Sequence, residues 1–434
     1  MRQTETKKLK QASHGLQGKL VVPGDKSISH RAIMLGSLAQ GTTTIKNILQ
    51  AEDVQTTMRI YRQLGVSIET KGAVTRVVGK GAENFQEPVE ALDFGNSGTT
   101  LRLSLGILAC QPFAMQLIGD ASLSSRPMGR VLEPLKQMGL KLAQTTERLP
   151  IALQANRQLE GIHYTMPIAS AQVKSALILA ALQAETPSVI HEPIPTRDHT
   201  EKMLEAFGVT LQRQQQEITI MPRQQLTATQ LEVPGDFSSA AFFIVAALLV
   251  PDSMVILPQV GLNPTRLGLL HILNQMGAKI ALPDVAEQVG EPLGTLEVTS
   301  QNLQATTIEA TEIPSMIDEI PLLVLAATQA NGTTVITGAS ELHHKETDRI
   351  ETVTQELNRL GAHVVAQADG FVVEGPTPLQ VEQPTVINSH GDHRIGMMLA
   401  VAALITQGDV YLQDADAVNI SYPQFFADLD KLLN

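Results

Sequence analysis

Small-residue-rich apolar stretches recur along the chain, each just after a polar residue able to cap a helix: Asp25, Asn96, Ser170, Asp236, Asp318 and Asp392. The intervals between these caps are 71, 74, 66, 82 and 74 residues, so the pattern is that of one unit repeated six times. Typical stretches are Ala240-Ala-Phe-Phe-Ile-Val-Ala-Ala-Leu-Leu and Met397-Met-Leu-Ala-Val-Ala-Ala-Leu-Ile. Apolarity nearly all round, with abundant Ala, predicts helices buried on every side and closely packed.

A turn and a strand pattern follow each stretch, as in Gly41-Thr-Thr-Thr-Ile, Ser188-Val-Ile and Gly332-Thr-Thr-Val-Ile. A second, more amphipathic helix then ends in an apolar residue and Gly, at Leu64-Gly65, Met138-Gly139, Phe207-Gly208, Met276-Gly277 and Leu360-Gly361. Gly just past a helix is the usual left-handed cap. The sixth unit stops in this helix, and Gly18 to Pro23 is a candidate for its missing strand. Six such units predict an α/β fold of two similar domains, each of three repeats with parallel buried helices inside and sheets outside, an inside-out α/β barrel. The boundaries expected are 23–234 for one domain and 1–22 plus 235–434 for the other. Both crossings read Val-Pro-Gly-Asp, at Val22 and Val233, a rigid-then-permissive pair suited to a hinge.

A chain of 434 residues with 43% hydrophobic and 18% charged residues can bury two such cores. The apolar run Ala240 to Val250 is about half of a membrane span, and the polar stretch Met1 to His14 reads as a short tail, so no membrane is expected. One cysteine, Cys110, rules out an internal disulfide and suits the cytoplasm. The net charge of −12 and 3% aromatic content argue against a nucleic-acid partner. Any anionic ligand must be drawn by a local basic cluster.

Such clusters stand at the predicted helix starts. Lys26, Ser27 and Arg31 follow the first cap; Gly98 and Arg102 follow the second; Gln172 and Lys174 follow Ser170; Arg394 follows Asp392. Basic residues at helix N-termini oppose the dipole, and a bound multiple anion would explain them. Ser124 to Arg130, with Arg126, is rich in donors and free of carboxylates. Lys345 and Arg349 are four apart, on one face if helical, with Glu346 beside them. His343, His344, Asp392 and His393 show no metal-ligand spacing, so no metal site is expected. Nucleotide-loop and acyl-serine motifs are lacking.

In Pro23-Gly-Asp-Lys-Ser-Ile-Ser-His-Arg31, Gly95-Asn-Ser-Gly-Thr-Thr-Leu-Arg102, Ser125-Arg-Pro-Met128, Ser170-Ala-Gln-Val-Lys174, Lys345-Glu-Thr-Asp-Arg349 and Asp392-His-Arg394, the chain resembles the enolpyruvyl transferase family over essentially its whole length. The match is to the branch that acts on shikimate-3-phosphate. The resemblance implies two domains of three α/β units, consistent with the repeat count. It implies transfer of the enolpyruvyl group of phosphoenolpyruvate to shikimate-3-phosphate, by addition and elimination, in a cytoplasmic monomer without a cofactor. Carried over position by position, it implies that Lys26, Ser27, Arg31, Ser170, Gln172, Asp318 and Lys345 hold shikimate-3-phosphate. Lys26, Gly98, Arg126, Gln172, Arg349 and Arg394 would hold phosphoenolpyruvate. Asp318 is the candidate base at the substrate hydroxyl, Glu346 the candidate proton carrier at C3, and Lys26 an assistant at the oxygens.

Three departures from the family pattern stand out. Leu103 and Ala171 replace residues common in relatives, and Ile420 stands where many carry a Lys three residues before Pro423. The sister branch, acting on UDP-N-acetylglucosamine, differs at Lys26-Ser27 and carries a loop Cys five residues before an Arg-Pro pair. Here that position is Ala121, and Cys110 is expected to be buried and inert. A repeat-built binding protein without catalysis would leave Lys26, Asp318 and Glu346 unexplained.

Overall fold

The computed structural model describes residues 6–288 and 290–433. The chain divides into two compact units, one of Gly24–Val233 with Glu287–Glu291, the other of the residues up to Pro23, Pro234–Ala286 and Pro292–Asn434. They are called the first and second domain below, and each has its own continuous apolar core.

Six helices occupy these cores: Lys26–Leu38, Gly98–Leu108 and Ala171–Ala181 in the first domain, Phe237–Leu249, Ile320–Thr328 and His393–Leu404 in the second. Small residues let them approach closely. Gly106 faces the Gly98–Leu108 helix's neighbour so tightly that a Cβ there would run into the Ala176 carbonyl. Four of the expected caps hold: the side chains of Asp25, Ser170, Asp236 and Asp392 accept from the backbone N–H of Ile28, Val173, Ser238 and Arg394.

Two caps are corrected. Ser97, one residue after Asn96, caps its helix by accepting from the Thr100 N–H. Asp318 is not a cap, because Met316 to Glu319 forms a turn closed by Glu319 N–H to the Met316 carbonyl at 2.8 Å. The helix then starts at Ile320 with Pro321 in its first turn, where a missing N–H costs nothing. The Asp318 carboxylate is thereby left for other partners.

Each repeat carries a small sheet in which a parallel strand pair adjoins an antiparallel partner. In the first repeat the order is Gln230–Glu232, Gly41–Lys46, Val74–Gly79, Ser67–Lys71, with Leu231 opposite Ile45 and Thr44 opposite Arg76. Gln230–Glu232 comes from the end of the third repeat. Reciprocally, Gln17–Lys19 pairs in parallel with Met254–Gly261 of the fourth repeat, Gly18 opposite Val255. The five glycines that follow the amphipathic helices have φ between 85° and 104°, a left-handed conformation that costs other residues a clash at Cβ.

The strand completing the sixth sheet is Thr6–Lys8, antiparallel to Val410–Gln413 with Lys7 opposite Leu412. This corrects two expectations: the stretch Met1 to His14, of which residues 1–5 lie outside the described ones, is not merely a tail, and Gly18 to Pro23 is not the missing strand, because Gln17–Lys19 pairs in the fourth sheet. Edge pairing uses backbone groups, so an exposed polar triplet serves as well as an apolar one. Among the described residues, no helix is long and apolar enough to cross a membrane.

Candidate active site

In the first domain the core helices begin with Lys26, Gly98 and Ala171, so the candidate residues stand at or near helix starts. Lys26 Nζ lies 3.2 Å from Asp53 Oδ2, a partner supplied by the next helix. Arg31 is buried one turn further on. It donates through Nη1 to the Ser27 carbonyl at 3.0 Å, through Nη2 to Ser175 Oγ at 2.8 Å and through Nε to Thr200 Oγ1 at 2.7 Å. Burial pulls the Arg31 guanidinium down to about 10, still charged at neutral pH. Its neighbour His30 is held well below the ordinary histidine value by burial, with Lys26 and Arg31 adding to the effect. His30 is therefore neutral, and its Nδ1 sits 2.7 Å from Thr57 Oγ1.

Around Gly98 two guanidinium groups crowd the backbone: a Cβ built there would lie 3.0 Å from Arg102 Nη1 and 3.3 Å from Arg126 Nη1. Arg126 Nη2 donates to Asn96 Oδ1 at 2.8 Å, and Arg102 Nη1 to Gln172 Oε1 at 2.8 Å. Gln172 Nε2 in turn donates to Thr99 Oγ1 at 3.0 Å. A helix N-terminus flanked by two planar donors is suited to a phosphate or carboxylate. Lys174 points elsewhere: its ammonium is fully buried between Glu192 at 3.0 Å and Glu201 at 2.9 Å.

In the second domain three cations from separate segments meet one carboxylate. Lys345 Nζ and Arg349 Nη1 lie 3.7 and 3.6 Å from Asp318 Oδ1, and Arg394 Nη2 lies 3.7 Å from Asp318 Oδ2. Arg394 Nη1 also donates to the Asp318 carbonyl at 3.2 Å. Glu346 Oε2 accepts from Arg349 Nη2 at 2.7 Å. Arg349 is the hub: its Nε donates to Asp392 Oδ2 at 2.8 Å, deep in the domain. Burial alone would lower the Arg349 pKa, but Asp392, Glu346 and Asp318 together raise it. The expectation that Lys345 and Arg349 share a helical face is corrected. The helix begins at Arg349, and Lys345 lies in the preceding extended residues, so tertiary packing rather than helical spacing brings both to Asp318.

Several partners carried no signal in the sequence. Asp53 and Thr200 lie in amphipathic helices outside any motif, and Glu319 is a fully buried carboxylate whose Oε1 stands 3.6 Å from Arg394 Nη1. The departures from the family pattern fall in ordinary surroundings. Leu103 is buried in its helix, Ala171 is the first residue of its helix, and Ile420 ends the short 3-10 helix Ala415–Ile420. Cys110 is half-buried rather than buried, at the end of a core helix; burial, then Glu185, pushes its thiol up.

Residues 10–429 match the family model described as EPSP synthase (3-phosphoshikimate 1-carboxyvinyltransferase). The chain belongs to the EPSP synthase family. Curated 3-phosphoshikimate 1-carboxyvinyltransferases of Streptococcus thermophilus and Leuconostoc citreum are each 50% identical to it, covering 98% and 97% of this chain and 100% and 98% of theirs. An EPSP synthase structure from Acinetobacter baumannii superposes with a TM-score of 0.87 at 39% identity, over 99% of this chain and 98% of that one. An enolpyruvyl transferase from Streptomyces tendae shares the fold with a TM-score of 0.81 at 17% identity. With these EPSP synthase relatives the two-domain α/β architecture is shared along the whole chain.

Proposed function

We infer that this chain catalyses the 3-phosphoshikimate 1-carboxyvinyltransferase reaction, the activity named for its half-identical relatives. The enolpyruvyl group of phosphoenolpyruvate passes to the 5-hydroxyl of shikimate-3-phosphate, and inorganic phosphate is released. The observation that carries the residue-level reading is the convergence of Lys345, Arg349 and Arg394 on Asp318, with Glu346 joined to Arg349.

The chemistry assigns roles. The 5-hydroxyl loses a proton as its oxygen bonds to C2 of phosphoenolpyruvate, and C3 gains a proton to become a methyl group. In the second half C3 returns that proton while the C2–phosphate oxygen bond breaks, and the departing phosphate takes up the proton that the hydroxyl gave to Asp318. Asp318, the carboxylate on which Lys345, Arg349 and Arg394 converge, takes the hydroxyl proton. Glu346 gives and recovers the proton at C3, and Lys26 supports the oxygens that gain charge. Two carboxylates and a lysine balance both halves, so the chemistry requires no metal or organic cofactor.

The binding roles are those the family resemblance implies, and the donor chemistry supports them. Lys26, Ser27, Arg31, Ser170, Gln172, Asp318 and Lys345 hold shikimate-3-phosphate, and Arg31 also donates to the Ser27 carbonyl. Lys26, Gly98, Arg126, Gln172, Arg349 and Arg394 hold phosphoenolpyruvate, whose carboxylate and phosphate suit planar guanidinium donors. The reading also takes the enzyme as a monomer, and as cytoplasmic in keeping with its single cysteine. A phosphate-release assay tests it: phosphoenolpyruvate with shikimate-3-phosphate yields phosphate with or without chelator, whereas UDP-N-acetylglucosamine as acceptor yields none. A folded protein that releases no phosphate with shikimate-3-phosphate overturns the reading.

A further inference from the structure

We propose that His343 is a positioning residue for this reaction: as an imidazolium donating at once to Asp348 and to the Ala368 carbonyl, it closes the loop that presents Lys345 and Glu346. The proposal rests on the assignment of Lys345 and Glu346 to the reaction. Its basis is the pair of contacts on the ring. His343 Nδ1 lies 2.6 Å from Asp348 Oδ2, and Nε2 lies 3.1 Å from the Ala368 carbonyl oxygen.

Both neighbours are acceptors. A backbone carbonyl has no proton to give. The Asp348 carboxylate accepts on its other oxygen from the N–H groups of Ile350 and Glu351, at 3.1 and 3.2 Å, as the cap of the Arg349–Arg359 helix. A neutral imidazole carries one N–H and can satisfy only one of the two, so both bonds require the doubly protonated ring. Turning the ring over would set carbon-bound hydrogens against both acceptors, which is worse.

The pair spans a short segment. His343 lies in the 3-10 helix Ser340–His344, and Asp348 caps the helix that begins at Arg349. Between them run Lys345, with Nζ 3.7 Å from Asp318, Glu346, with Oε2 2.7 Å from Arg349, and Thr347, whose hydroxyl donates to Asp392 at 3.3 Å. Ala368 sits in the turn between strands His363–Gln367 and Gly370–Gly375, so the ring also ties this loop to the fifth sheet.

The titratable groups on the segments that meet at the ring are Glu341, His344 and Lys345 next to it in sequence, Asp348 and Glu351 at the helix start, and Asp369 next to Ala368. Asp369 Oδ2 accepts from the Gly338 N–H at 2.9 Å. The hydrogen bond to Asp348, then that to Ala368, raise His343 above the ordinary histidine value, against a smaller opposing effect of burial. A raised folded value means that the closed loop is present below it and is lost as pH rises through it. A neutral ring keeps one bond and frees one end of the loop.

The test measures kcat and KM for shikimate-3-phosphate against pH in the wild type, His343→Arg and His343→Gln, together with the NMR titration of the His343 ring. Wild-type kcat/KM should fall by about tenfold above the ring's pKa, the factor corresponding to one charge-assisted hydrogen bond. His343→Arg keeps a permanent charge with several donors and should remove that inflection. His343→Gln should resemble high-pH wild type at every pH. Superimposable profiles for wild type and His343→Arg overturn the proposal, as does a ring that titrates at or below the ordinary histidine value. The ring titration needs no turnover and no variant, so it decides even if a substitution fails to fold. Failure of the functional reading is separate: there, wild type releases no phosphate at any pH.

Discussion

Arg349 holds both oxygens of Asp392, Nε to Oδ2 at 2.8 Å and Nη2 to Oδ1 at 3.2 Å, although the two residues are 43 apart in sequence. Asp392 is fully buried, and its Oδ1 also accepts from the Arg394 N–H at 2.9 Å as the cap of the last core helix. One carboxylate therefore anchors the helix bearing Arg394 and aims the guanidinium that reaches Asp318 and Glu346.

Asp392→Asn should destabilise the protein by about 3–5 kcal/mol, the usual consequence of stranding one partner of a buried ion pair. The midpoint of urea unfolding reads the change. Burial alone would raise the Asp392 pKa, but Arg349 outweighs it and holds the carboxyl below the ordinary aspartate range. With the folded value depressed, the stability from this pair is present above the ordinary aspartate pKa and is lost as pH falls through the folded one. The Asn variant should lack that part of the acid limb.

Asp318→Asn and Glu346→Gln should each lower turnover by at least ~100-fold, the scale of a positioned acid–base group. Stopped-time phosphate release at saturating substrates measures it. Wild-type turnover in either variant removes that residue from the proton-transfer scheme.

Gly98→Ala should act on phosphoenolpyruvate more than on turnover. The new methyl group would press on Arg102 Nη1 at 3.0 Å and Arg126 Nη1 at 3.3 Å, and these side chains must give way. KM for phosphoenolpyruvate is expected to rise about tenfold, equivalent to ~1.4 kcal/mol of lost binding, with kcat changing less. An unchanged KM would show that this helix start does not meet the ligand.

Cys110→Ser should leave turnover at the wild-type level and shift stability by ~1 kcal/mol through partial burial of a hydroxyl. The thiol is half-buried, and burial and Glu185 disfavour its thiolate. Steady-state kinetics before and after treatment with a thiol-reactive epoxide check it: inactivation would give Cys110 a role that its surroundings do not support.

The repeat architecture was legible in the sequence by itself. Caps such as Asp25 and Ser170, the apolar cores of the helices they start, and glycines such as Gly65 and Gly361 depend on interactions within a few residues, so local pattern reports them directly. The family resemblance likewise marked Lys26, Arg126, Asp318, Glu346 and Arg394 as the residues to watch. Only the tertiary structure decided their partners. Asp392 for Arg349, Asp53 for Lys26, and Glu192 with Glu201 for Lys174 are pairings over 18 to 43 residues, chosen by how helices pack and not by spacing along the chain. The same holds for Asp318, which sequence pattern read as a cap. The turn before Ile320 removes it from the helix start and leaves its carboxylate to three cations. Thr6–Lys8 looked like a tail because strand pairing at a sheet edge is made by backbone N–H and carbonyl groups, which every residue but proline carries and no side-chain pattern reveals.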